Sequence, residues 1–86
     1  MNEIFVTLKH PIKVDGVVLD RLTIRRPKLR DMLLVEKKNG SDGEKTVALI
    51  ANLADLAPKD LEELDMEDYT AAQETVNGFT PTGGTN

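Results

Sequence analysis

Residues 44 to 56, Glu-Lys-Thr-Val-Ala-Leu-Ile-Ala-Asn-Leu-Ala-Asp-Leu, carry apolar side chains on more than one helical face. Val47, Ile50, Ala51 and Ala54 make one stripe; Leu49, Leu53 and Leu56 make another. A helix with an apolar surface this wide must be covered from two sides, so the other elements are expected to pack around it.

The covers have to be aliphatic. Eleven Leu, seven Val and four Ile stand against two Phe, one Tyr and no Trp in a chain of 86 residues. That length fits one small domain of modest stability. The absence of Cys excludes a disulfide framework, a thiolate zinc site and a thiol nucleophile. No apolar run reaches membrane-spanning length. The opening residues lack the basic region and long apolar run of a signal peptide, so a cytosolic location is expected. The net charge of −4 hides an asymmetry: residues 1 to 38 hold nine Lys/Arg and five Asp/Glu, residues 39 to 86 two and ten. Mutual attraction of the two halves within one fold is the simplest use of that pattern.

Ile4 to Lys9 alternates as a half-buried strand, with Ile4, Val6 and Leu8 on one face. Pro11 cannot donate to a ladder and marks a bulge or sheet edge, after which Ile12 and Val14 resume. Asp15-Gly16 tolerates the positive φ angles of a tight hairpin turn. The return strand is Val17 to Arg25, with a phase change near Asp20-Arg21. Pro27 opens a helix that runs to about Asn39, its expected buried stripe being Leu29, Met32 and Leu33, widened by Leu34 and Val35. Lys28 and Arg30 oppose the helix dipole in that first turn, so they are expected to pair with the acidic half or to serve a partner.

Residues 39 to 43 read as a flexible connection. After the central helix, Pro58 opens a short helix over Lys59 to Leu64. Asp65 reads as an N-cap with Asp68 in a weak capping box, and the last helix covers Met66 to Asn77, with Gly78 as its stop. Its stripe of Met66, Tyr69, Ala72 and Val76 is thin. Phe79 is a possible anchor folding back. The expected organisation is therefore an α+β domain over 1–79, an N-terminal antiparallel β-hairpin followed by three to four helices around 44–56. A disordered polar tail over 80–86 follows.

Chemistry is sparse. His10 is the only histidine and Tyr69 the only tyrosine, and no nucleophile, base and orienting acid fall into a catalytic spacing. The acidic group Asp60, Glu62, Glu63, Asp65, Glu67 and Asp68 lacks the spacing and central glycine of a calcium loop and reads as a solvated or partner-facing surface. No catalytic residue, cofactor or metal ligand is expected. The basic residues Arg25, Arg26, Lys28 and Arg30 leave one alternative from another class, a small DNA-associated regulator or antitoxin touching phosphates with segment 25–30. The pI near 4.9 and the lack of interleaved aromatics make nucleic acid a poor partner.

The order of elements resembles a known family. The matching residues are Ile4-Phe-Val-Thr-Leu8, Pro11-Ile12, Gly16, Leu22-Thr-Ile-Arg25, Pro27, Asp31 and Glu36-Lys37. They continue through Leu49-Ile-Ala-Asn-Leu53, Leu56-Ala-Pro-Lys-Asp-Leu61, Glu63-Leu-Asp65, Asp68-Tyr69 and Gly78-Phe79. Over residues 4 to 79 the chain resembles the tail assembly chaperones of contractile-tailed temperate phages, departing from them in Ala71-Ala72 and in its polar tail. The resemblance implies a non-enzymatic chaperone in the host bacterial cytoplasm. It would bind the long helical tape measure protein, help recruit tail tube protein, and be absent from the mature virion. It also implies a frameshifted longer product in some family members. A weakly specified last helix suits exchange of contacts with a helical client. The client face is therefore expected where the second cover of the central helix sits, at Leu53, Leu56, Leu61, Leu64 and Tyr69. Asp60, Glu63 and Asp68 would border it, with Phe79 at its end. Self-association through a free hairpin edge is a further expectation.

Overall fold

The protein, a computed structural model, is described over residues 3–79. β1 (Glu3–Val14) and β2 (Val17–Arg25) form a two-stranded antiparallel sheet, followed by α1 (Leu29–Glu36), α2 (Asp42–Leu53), α3 (Pro58–Leu61) and α4 (Met66–Phe79). This is the expected α+β arrangement of a hairpin followed by helices. The expected tail over 80–86 lies outside the described residues.

Asp15 and Gly16 both take positive φ, 52° and 82°, the left-handed pair that matches the twist of a tight hairpin. From Glu3↔Arg25 to Thr7↔Arg21 the ladder is regular; it resumes at Ile12↔Leu19. Leu8 to Pro11 therefore stand opposite Asp20 alone. The bulge expected at Pro11 and the phase change expected near Asp20 are one irregularity seen from its two strands. Val6, Leu8, Ile12, Leu22 and Ile24 all turn inward.

α2 is the hub. It touches β2, α1, α3 and α4, and Ile50 and Leu53 are among the largest fully buried side chains. Both expected covers, the hairpin face and Leu61, Leu64 and Tyr69, join α2 in one core. Its limits differ from the sequence expectation of 44 to 56. Ser41 Oγ accepts from Glu44 N at 3.1 Å and Glu44 Oε1 accepts from Ser41 N at 2.8 Å, a reciprocal cap that starts the helix inside the supposed flexible connection. At the other end Asp55 adopts φ 59°, and Leu56 N donates to Ala51 O at 2.8 Å, so the chain leaves the helix before Leu56.

Further expectations for α1, α3 and α4 need correction. α1 stops at Glu36, short of Asn39, and it buries Asp31 and Val35 while Leu29, Met32 and Leu33 lie on the outside. α3 is four residues long, continued to Leu64 by turns. α4 runs through Gly78, where an added Cβ would meet nothing within 4 Å, and ends at Phe79. Met66, expected on the stripe of α4, is exposed, whereas Ala72 and Val76 are buried. Ala72 is fully covered, so a small residue there lets α4 lie close to the core.

Candidate partner-binding surface

A buried carboxylate decides which way α1 faces. Asp31 Oδ1 accepts from Arg25 Nη2 at 2.7 Å and from Asn52 Nδ2 at 2.8 Å; Oδ2 accepts from Arg25 Nη1 at 2.8 Å and from Lys28 N at 2.7 Å. Four donors from β2, α2 and the first turn of α1 thus meet one side chain that is 3% exposed. The Arg25 guanidinium, helped by the Lys28 amide and Asn52, outweighs burial and holds the Asp31 carboxyl well below the usual carboxylate range. A buried charge tolerates being buried only when so paired, and rotating it outward would break all four bonds.

The helical repeat fixes the rest. With Asp31 and Val35 inward, residues two positions away fall on the opposite side of the cylinder. Leu29 is 74% exposed and Leu33 54%, with Leu34 and Met32 on the flanks at 52% and 38%. Arg30 and Lys37 border this stripe and, like Lys28, make no ion pair among the described residues. Pairing of Lys28 and Arg30 with the acidic half, the simpler expectation, does not occur among the described residues.

Between α1 and α2 the surface opens into a crevice of about 180 Å³ lined by Leu34, Val35, Ala48, Ala51, Leu56 and Pro58, with Lys38 and Asn52 at its rim. Burying a leucine contributes roughly 2 kcal/mol, so a helix of eight residues that leaves Leu29 and Leu33 outside forgoes a large share of what it can contribute to folding. An apolar patch edged by unpaired cations is the type of surface that marks a protein contact.

The acidic residues behave differently from the expected client face. Asp68, 2% exposed, accepts at Oδ1 from Lys9 N and at Oδ2 from His10 N, each at 2.9 Å. It does not serve as the partner of the Asp65 cap. Those two amides lie in the β1 bulge, where β2 offers no carbonyl, and α4 supplies the missing acceptors. Burial disfavours the charged Asp68, but the two amide donors and the cations His10 and Lys9 would provide outweigh it, and its pKa is lowered. Lys9 Nζ meets Glu67 Oε2 at 2.8 Å, and His10 Nε2 lies 3.4 Å from Glu67 Oε1 and 3.8 Å from Asp65 Oδ2. His10, Asp65 and Glu67 are close enough to share an ion, yet all three are exposed and Glu67 is already held by the Lys9 ammonium.

Of the residues singled out from sequence, Leu53 and Leu61 lie in the core and Asp68 in its buried clamp. Leu56, Leu64, Tyr69 and Phe79 are partly buried against that core. Asp60 Oδ2 accepts from Ala57 N at 3.2 Å, capping α3, and Glu63 is exposed. Tyr69, whose pKa is raised by burial, lines an open groove of about 530 Å³ with Val47, Pro58 and Glu62, between α2, α3 and α4. Leu56 reaches the α1 crevice instead. These residues therefore do not converge on one face. The basic segment 25–30 is divided: Arg25 grips Asp31 and Arg26 lies over the Phe79 ring at 5.7 Å, whereas Lys28 and Arg30 make no ion pair among the described residues.

Sequence reasoning missed Leu29 and Leu33 as surface residues. The available clue was Asp31, a carboxylate in the middle of an apolar run, which fits a helix only if something buried receives it.

No curated protein and no solved structure matches the chain. A family does: the one described as phage tail assembly chaperone proteins, E, or 41 or 14, matches residues 5–81. That span takes in β1 from Phe5 onward, β2 and α1 to α4, so the bulge, its clamp, the Asp31 junction and the outward face of α1 all lie inside the matched region. The chain belongs to the phage tail assembly chaperone family.

Proposed function

We propose that the protein is a non-enzymatic chaperone that binds the tape measure protein and assists tail tube assembly in the cytoplasm of the host bacterium, leaving before the virion is complete. The observation that supports this reading best is the outward apolar face of α1, an exposed leucine stripe in a chain whose family membership concerns tail assembly. A long helical client presents apolar stripes of its own, which aggregate unless covered, and a small protein that keeps one such stripe uncovered is suited to shielding them. The groove at Tyr69 offers a second contact on the face expected from sequence.

The test is co-expression with a phage tape measure protein. Soluble tape measure protein that co-purifies with this chain in a defined ratio is the expected result. Tape measure protein that is equally soluble alone, or a chain found in purified virions, overturns the proposal.

A further inference from the structure

We infer that the outward face of α1 docks an amphipathic helix whose apolar stripe is flanked by carboxylates. The inference rests on the client reading above and specifies the chemistry of the segment recognised.

Two features select that occupant. Leu29 and Leu33 are one turn apart and stand clear of the core, the spacing of anchors that meet a facing helix, and beside Leu34 the α1–α2 crevice has room for one incoming side chain against Leu56 and Pro58. The electrostatics set the flanks. Lys28, Arg30 and Lys37 lie around the stripe with no acidic partner among the described residues, although ten Asp/Glu occur between residues 39 and 86. Glu44 and Asp60 serve caps, Asp68 the bulge and Glu67 Lys9, and no carboxylate among the described residues forms an ion pair with these three cations. Two of them oppose the dipole of α1, an arrangement that an acidic partner would relieve. Basic segments of a client would be repelled from the same face, which gives selection among helices of similar hydrophobicity.

The experiment uses the full chain and two designed leucine-stripe peptides of equal helicity, one flanked by Glu and one by Lys, together with peptides tiled along the tape measure protein. Binding is read by fluorescence anisotropy. The acid-flanked peptide is expected to bind at least about tenfold more tightly than the lysine-flanked one, a preference weakened by salt. Leu29→Glu with Leu33→Glu should abolish it with no loss of thermal stability, and Arg30→Glu with Lys37→Glu should reverse it.

Equal binding of both peptides, or undiminished binding by the leucine variant, overturns the inference. So does unfolding of the leucine variant, which would place these side chains in the core, or its conversion of a dimer to a monomer, which would make a second copy the occupant. Tape measure tiles that bind the leucine variant as well as the parent chain would sink this surface and leave the client reading intact. Tiles that never bind, alongside a preferred acid-flanked peptide, would do the reverse.

Discussion

Arg25 and Asp31 face each other across the corner between β2 and α1 in a two-pronged pair, Nη1 donating to Oδ2 at 2.8 Å and Nη2 to Oδ1 at 2.7 Å. The pair is asymmetric in its exposure: the Arg25 side chain is one-third open to solvent, Asp31 almost closed. Removing the acid therefore leaves a cation that water can partly recover, whereas removing the base strands a buried carboxylate with only neutral donors.

Arg25→Met is consequently expected to destabilise the protein more than Asp31→Asn. The first should fall within the roughly 3–5 kcal/mol associated with breaking a buried pair, and the second should come nearer 2 kcal/mol because Asn keeps one acceptor. Urea unfolding of the two variants checks the order; a larger effect for Asp31→Asn would show that the carboxylate's neutral bonds dominate.

Acid should unfold the protein through the same group. The folded-state pKa of Asp31 lies below its ordinary value of 3.8, so near that pH the unfolded chain binds more protons than the folded one. Stability from this site is therefore complete above about pH 5 and is lost progressively as pH falls below about 4. The lowered pKa of Asp68 acts in the same direction. Thermal melts between pH 7 and pH 2.5 should show the decline, and Asp31→Asn should flatten it.

Asp68→Ala should cost about 2–3 kcal/mol, since it orphans two backbone amides in the bulge. Hydrogen exchange at Lys9 and His10 should accelerate in that variant by more than at Val6. Charge reversal there would unfold the bulge before it could report on a client.

Two glycines should respond in opposite ways. Gly78 is helical and has nothing within 4 Å of where a Cβ would stand, so Gly78→Ala should stabilise by about 0.5–1 kcal/mol. Gly40 has φ +143°, and a Cβ there would stand 2.8 Å from Glu44 Oε1. Gly40→Ala should therefore destabilise by about 1–2 kcal/mol, since it strains the backbone and displaces the carboxylate that closes the α2 cap.

Local signals in the sequence were enough for the elements and for the hub. Asp15-Gly16 and Pro58 act on their own neighbours, and the two stripes of α2 report burial whatever covers them; Pro27, expected to open α1, lies outside it, since the helix begins at Leu29. The rotation of α1 was not legible in the same way. Periodicity assigned the inward face to Leu29, Met32 and Leu33, and on hydrophobicity alone that assignment is sound. It fails because Arg25 and Asn52, 6 and 21 residues from Asp31, converge on one carboxylate, and such a convergence has no periodic trace. Asp68 is the same case: three residues after Asp65 it imitates a cap, while its actual partners lie 58 and 59 positions away. The expected client face rested on α2, α3 and α4, without α1, and its residues divide between the core, the Tyr69 groove and the α1 crevice.

The Asp68 clamp also bears on the order in which the fold is completed during synthesis. Lys9 and His10 leave the ribosome early, but the acceptors for their amides arrive only when residue 68 emerges. Until then the middle of the hairpin must rely on water. Everything from β1 to residue 68 has to exist before β1 is finished, so this part of the chain should fold late and in one step, with a loop-closure barrier set by that long separation.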